Sequence, residues 1–364
     1  MIDPPAPGKG QTCAGQARAE GRRRWAVGVA CAVLLGVAVH AEWPMIAQSL
    51  YSLAHLRWRP AVLAVAAETA SMVALGLMER RILILAGLRL PVARSVAIAY
   101  ASNALSASLP IIGSGAATAF TYRRLVSQGA TPALAGWALV LAGAVSNAAF
   151  VLIISIGAVV SGNLAAIWAG GAGLLLTFVI AAAAALAMRR PGARERVSSA
   201  AIWTLRRVQQ LVRRPAGDAA GIVADVTAGL AAFRPNRGDV TLAVVSAVRN
   251  WTFDLFCLVF SLKAAGVHVP WWGIILAWAA GTGGASLNLT PGGLGVVEAA
   301  LTGALVALGV PGAPALTAVL VYRAITFWLA ITVGWAVYLY LRREKEPTPS
   351  RRRQRSANRP RRGC

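Results

Sequence analysis

The chain has 364 residues, 57% hydrophobic and 13% charged, with 36 Lys+Arg against 13 Asp+Glu and a formal net charge of +23. Soluble domains carry about 25% charged residues, so half that share, with a mean hydropathy of +0.61, excludes a soluble enzyme, a secreted protein or a DNA-binding domain as a reading of the whole chain. The basic residues gather in short segments between apolar runs, within 1–24, 189–239 and 342–364 and at Arg80, Arg81, Arg89, Arg94, Arg123 and Arg124. That is the distribution of a polytopic membrane protein with a positive-inside bias.

Residues 1–24 form a basic segment expected to be disordered and cytoplasmic. A membrane-spanning helix needs about 20 mainly apolar residues, and the first candidate runs from Trp25 to Trp43 behind Arg22-Arg23-Arg24. Val39-His40-Ala41 would also suit a signal peptidase, but in a polytopic chain the helix is expected to stay as an anchor. The second span runs from Pro60 to about Met78 and ends on Glu79-Arg80-Arg81. An apolar stretch from Val92 to Leu109 then meets Pro110 and the run Ile111-Ile112-Gly113-Ser114-Gly115. The six residues between this break and Tyr122-Arg123-Arg124 rise only about 9 Å as helix. A re-entrant hairpin that enters and leaves on the cytoplasmic side is therefore expected, and irregular backbone at that depth is tolerated only inside protein or along a cavity.

Ala133 to Ser161 reads as a span going out and Leu164 to Met188 as one coming back, turned by Gly162-Asn163. The polar loop 189–239 carries an amphipathic pattern over 194–214, suited to lying on an anionic leaflet. A solvated linker is the other reading for 213–239. Val240 to Ala265 goes out again. Between Pro270 and Pro311 two apolar arms flank Asn288-Leu289-Thr290-Pro291-Gly292-Gly293-Leu294-Gly295. Either a second re-entrant hairpin or two full spans satisfies the pattern. Ala315 to Leu341 closes the membrane region before Arg342-Arg343, and 343–364 reads as a disordered basic tail.

The expected fold is thus an all-α polytopic membrane protein. It has about six full transmembrane helices plus two broken hairpins, or eight or more spans if the hairpins cross fully, with 25–342 as the membrane domain. Span, hairpin and span recur in opposite orientation, an inverted repeat of the kind that builds a substrate site where broken helices meet near the midplane.

Five ionisable residues fall inside apolar segments: Glu68, Arg249, Asp254, Glu298 and Arg323. Each costs about 2.5–3.5 kcal/mol or more at the bilayer centre unless paired or wetted. Arg249 and Asp254, five apart, point about 140° from each other, so Asp254 is expected to find a partner on another helix, with Arg323 the candidate by depth. Glu298 stands in the first turn after the second break. It either complements the helix dipole or faces the cavity and pairs with Arg323 or Arg249. Helix N-termini freed at Gly113–Gly115 and at Gly292, Gly293 and Gly295, together with Arg123, Arg249 and Arg323, suit an anionic group. Cys13, Cys31, Cys257 and Cys364 and the three histidines show no metal-ligand spacing, so neither metal nor cofactor is expected, and the basic tail has no aromatic residue to stack on a base.

The run Thr290-Pro291-Gly292-Gly293-Leu294-Gly295-Val296-Val297-Glu298, followed by Tyr322-Arg323, resembles the lysylphosphatidylglycerol synthase transmembrane-region family, also called flippase-like domain proteins. The first break, with Asn103, Pro110 and Gly113 through Arg123-Arg124, is similar to the family's upstream motif, but Gly115-Ala116 stands where the family usually has Gly-Glu. The resemblance implies re-entrant helices and a role with lipids, since fused members move an aminoacylated phospholipid and others accompany glycolipid pathways. The polar loops here carry no nucleotide-binding motif, so synthesis of lysylphosphatidylglycerol is not expected.

The expected function is a non-enzymatic lipid-headgroup translocator in the cell membrane. Its cavity is expected between the two breaks, lined by Glu298, Arg323, Arg249, Asp254, Arg123, Asn288 and the Pro and Gly residues of both breaks. Its expected partners are anionic or lipid-linked molecules, the anionic leaflet and a lipid-modifying enzyme, and not nucleic acid. The competing expectation is an accessory subunit that scaffolds a lipid-modifying glycosyltransferase. A membrane transferase acting on polyprenyl phosphates would want paired acids for metal or base chemistry, which the sequence does not place together.

Overall fold

The computed structural model describes residues 51, 56–85, 87–109, 112–162, 164, 168, 171–173, 175, 237–286 and 290–343. The expected span Trp25–Trp43, most of the span 164–188, the amphipathic loop and both basic tails lie outside the described residues. Every described element is helical, and four helices are long and apolar enough to cross a membrane.

Helix α1 (Trp58–Leu85) opens with Pro60 in its first turn, where a missing N–H costs nothing. It continues seven residues beyond the apolar run, through Arg80 and Arg81, because its last turns are held by protein. Arg80 Nε donates to Leu90 O at 2.8 Å. Helices α2 (Val92–Ser108) and α3 (Gly113–Ser127) form the first hairpin, with the Thr121 hydroxyl donating to Ser102 Oγ at 3.1 Å. Helix α4 (Pro132–Ser161) starts from a Thr131 cap with Pro132 behind it and ends on Gly162, as the turn composition indicates. Helices α5 (Arg237–Ala264), α6 (Ile274–Ser286) and α7 (Val296–Ala307) follow, with a short turn at Pro291–Gly293 between the last two. Helix α8 (Gly312–Arg343) is continuous but passes through a π-helical segment at Ala324–Leu329.

The second hairpin has short described arms. Its arms hold 13 and 12 helical residues, which rise about 20 Å or less each, short of the roughly 30 Å hydrocarbon core. These lengths favour the re-entrant arrangement over two full spans.

The helix pairing has the reciprocity of an inverted repeat. Helices α1 and α5, the first of each half, pack along each other and run antiparallel. The Arg57 N–H meets Ala264 O at 3.0 Å at one end, and Arg81 Nη1 meets Asp239 Oδ1 at 3.4 Å at the other. Each hairpin leans on the last helix of the opposite half, α2 on the lower part of α8 and α6 on α4. A glycine allows each approach. A Cβ on Gly334 would lie 2.5 Å from Ala104 Cβ and Tyr100 O, and one on Gly157 would lie 2.4 Å from Ile275 Cγ2. Small residues that let helices approach are the usual device where lipid supplies no hydrophobic drive between them.

One end of the bundle carries Arg80, Arg81, Arg94, Arg123, Arg124, Arg342 and Arg343, and the first hairpin opens there; Arg124 Nη2 caps Leu341 O. The second hairpin opens at the other end. Two apolar clusters fill the bundle, one at each end. The cluster at the arginine-rich end centres on Met78, Ile82, Leu125 and Leu341, and the other on Leu258, Leu262, Leu301 and Val319. A polar layer separates them.

Candidate functional site

The tips of the two hairpins meet in that layer, where the end of α2 contacts the Pro291–Gly293 turn. Between them lies a cavity of about 470 Å³. Its wall takes Asn103 and Ser106 from the first hairpin, Thr282, Ser286 and Gly292 from the second, Glu68 and Ser71 from α1, Asn250 and Asp254 from α5, and Tyr322 and Arg323 from α8. An adjoining cavity of about 310 Å³ shares Leu75, Asn103, Ser106 and Ser146 with it and extends along α1 to Glu79, past Ser102, Ser114 and Thr121. The polar floor is therefore continuous from the middle of the bundle toward its arginine-rich end.

On one side of the cavity Asp254 is held by two donors. Trp278 Nε1–H reaches Oδ2 at 2.7 Å, and the Tyr322 hydroxyl lies 3.0 and 3.2 Å from the two carboxylate oxygens. Trp278 is itself locked by Phe150 and Trp251, whose ring centroids lie 5.4 and 5.8 Å away. One turn earlier on α5, Asn250 Nδ2 donates to Ser71 O and Ser71 Oγ at 3.1 and 2.8 Å, which fixes α5 against α1 at cavity depth. Glu68 stands beside this group, 6% exposed, and its Oε2 has no hydrogen-bond partner.

On the other side Arg323 makes an ion pair with Glu298, Nε to Oε1 at 2.7 Å. Its Nη2 donates to Gly292 O at 2.7 Å, and the Phe327 ring lies 4.6 Å from its guanidinium. The second Glu298 oxygen accepts the Gly295 N–H at 2.6 Å. Gly292 sits at φ 57°, and a Cβ there would fall 1.8 Å from the Phe327 ring. The second break is thus a tied knot. A single arginine binds the acid of the following helix and a turn carbonyl that only glycine can present so close to the aromatic ring.

The sequence profile of the family described as Lysylphosphatidylglycerol synthase TM region matches residues 25–334. The chain belongs to this family. No curated protein matches it significantly.

Within this lysylphosphatidylglycerol synthase transmembrane-region fold, Arg323, Asp254 and Gly292 line the cavity, with Gly293 and Gly295 in the turn that shapes it, while Glu298, expected on the cavity wall, is off it and joins the site only through its ion pair with Arg323. Pro291 begins that turn and is exposed. Gly113 is buried where α3 meets α2, with room for no Cβ beside Ser106 O. Gly115 is exposed at the start of α3. Pro110 and Asn288 lie outside the described residues.

Three expectations need correction. Arg249 is exposed, stacks on Phe253 at 5.8 Å and does not line the cavity; the 140° that separates it from Asp254 turns it away. Arg123 is exposed at the arginine-rich end and lies off the cavity as well. Arg323 answers Glu298, so Asp254 takes neutral donors in place of an arginine. The helix N-terminus at Gly295 is also filled by Glu298's own carboxylate, so it is not open to an outside anion.

Trp278, Ser71 and Ser106 complete the site and were not singled out by sequence reasoning, and Tyr322 and Asn250 were noted only as the motif neighbour of Arg323 and a face-mate of Asp254. Most of their atoms are apolar or small, and only Asn250, one turn from Asp254 on the same helix face, carried a readable signal. Glu68 was singled out as a buried charge, yet its place in the cavity follows from the antiparallel α1–α5 pairing.

Proposed function

We propose that the chain is a lipid-headgroup translocator of the cell membrane, its arginine-rich end in the cytoplasm and the headgroup passing through the cavity between the hairpin tips. The observation that carries this reading is the polar cavity of about 470 Å³ at the meeting point of two re-entrant hairpins, a place where broken helices serve transport. Its size suits a small polar headgroup, while the acyl chains stay in lipid beside the exposed apolar faces of the spans. Arg323 Nη1 makes no hydrogen bond among the described residues and is the donor offered to a headgroup phosphate. The Asn103, Ser106, Thr282 and Ser286 side chains supply neutral contacts. No bond in the lipid is broken. A membrane partner that makes or consumes the lipid fits this role.

Translocation of a fluorescent phospholipid by purified protein in liposomes tests the reading, with wild type compared with Glu298→Ala and Arg323→Ala. A loss of about tenfold or more in either variant, at equal folded yield, is expected. Equal rates in all three would overturn the site and leave the accessory-subunit reading in its place.

A further inference from the structure

Glu68 has no role in the knot at the second break. It is 6% exposed, it lines the central cavity, and one of its oxygens has no donor. An ionised carboxylate at this depth without a donor or a cation is costly. Its surroundings offer neither. The titratable and charged groups that face it are Asp254 and Cys257 from α5, Tyr100 from α2, and Tyr322 and Arg323 from α8. Arg323 is committed to Glu298 and Gly292. Asp254 takes the Trp278 N–H and the Tyr322 O–H, donors that support a charged carboxylate. Two carboxylates on the wall of one cavity at this depth repel each other and do not readily both ionise. The pair is therefore asymmetric, with Asp254 keeping the charge and Glu68 holding a proton.

A route to this proton lies on the same helix. Glu79 is eleven residues, three turns, farther along α1, so its side chain falls within about 20° of the Glu68 direction. Met72 and Leu75 line the central cavity between them, and the adjoining cavity reaches Glu79 itself.

We infer that Glu68 is a proton-binding site that couples headgroup movement to the proton gradient, with Glu79 as the entry from the arginine-rich end. A proton joins Oε2 of ionised Glu68 from one side and leaves to water on the other when the cavity changes access. The lipid gains and loses no bond. This rests on the translocator reading, so the test has one arm that needs no lipid movement.

In the first arm, infrared difference spectra of the full chain in nanodiscs are recorded between acid and alkaline pH. After subtraction of the Glu68→Gln spectrum, a protonated-carboxyl C=O band is expected in wild type and in Asp239→Asn, and at a shifted frequency in Glu68→Asp. A wild-type spectrum identical to that of Glu68→Gln would overturn the inference. In the second arm, proteoliposomes carry a pH gradient of about one unit. For one proton per lipid, the leaflet distribution of labelled phospholipid should shift about tenfold in wild type and stay even in Glu68→Gln. An even distribution in a wild type that moves lipid would overturn the coupling. A shift driven by a sodium gradient at fixed pH would overturn it too and put sodium in the proton's place. Absence of any lipid movement would sink the translocator reading, while the infrared arm would still decide the proton site.

Discussion

The two hairpins solve the same problem with different chemistry. The second is tied by charge: Arg323 grips Glu298 and Gly292 O, and Glu298 grips Gly295 N–H. The first is tied by neutral bonds and close packing: Thr121 to Ser102, Trp335 Nε1 to Ser108 Oγ at 2.9 Å, and Gly334 against α2. Ala116 stands in its first helical turn, and α4, the last helix of that half, carries no charged residue between 132 and 161. The acid and the arginine are both missing from this half. A buried ion pair is rigid and fails abruptly when one partner goes, whereas neutral packing contacts can be remade in a shifted register. If the chain translocates lipid as proposed, the comparison predicts that the second hairpin is the fixed wall and the first the moving part.

The largest effect expected is at the knot. Arg323→Ala leaves Glu298 with its guanidinium partner gone, and breaking a buried pair from one side costs about 3–5 kcal/mol. Denaturant unfolding in detergent micelles measures this. Hydrogen exchange localises it, with faster exchange expected over 290–307 and little change over 92–127. Equal loosening of both hairpins would break the comparison. Next comes Trp278→Phe, which keeps the ring packing against Phe150 and Trp251 but removes the donor to Asp254. A hydrogen bond to a charged group is worth about 1.5–3 kcal/mol, and the same unfolding assay should read a loss in that range, with the second hairpin again the part affected.

Much of this architecture is legible in the sequence. The four described spans and both breaks can be read there because hydropathy and Pro/Gly interruptions are local properties. The bounds of α2, α4 and α5 fall within three residues of the apolar runs. The Glu298–Arg323 pair was one of two readings, since charges in apolar runs must find partners. What stayed hidden depends on which helices become neighbours. The partners of Asp254 are an indole and a phenol, whose single polar atoms vanish in an apolar composition. Arg249 looked like a site residue because a sequence shows depth more readily than direction. Its five-residue offset from Asp254 already carried the geometry that sends it to the surface. The length of the second hairpin's arms was hidden for another reason: hydropathy alone does not mark where a helix ends, and the turn after Thr290 is set by Pro291 and the positive φ at Gly292 and Gly293.

The first hairpin offers the smaller effects. Gly334→Ala forces a methyl to within 2.5 Å of Ala104 Cβ and Tyr100 O, and overpacking of this kind costs about 1–3 kcal/mol. A moving hairpin should lose transport more than stability here, because the glycine permits sliding as well as approach. If lipid translocation and unfolding midpoint fall in proportion, the contact is only structural.

The smallest effect comes from Ala116→Glu, which puts an acid in the first turn of α3. Ala116 is half-buried beside an uncapped helix start, where Ile112 supplies no side-chain hydrogen bond. A carboxylate there gains about 0.3–1 kcal/mol from the helix dipole, visible as a small rise in unfolding midpoint. The two hairpins would then both carry an acid but still differ in the arginine. If the variant becomes more stable while its transport rate falls, the first hairpin works because it is loosely held. If both rise together, the missing acid is a defect of this half and its looseness has no part in transport.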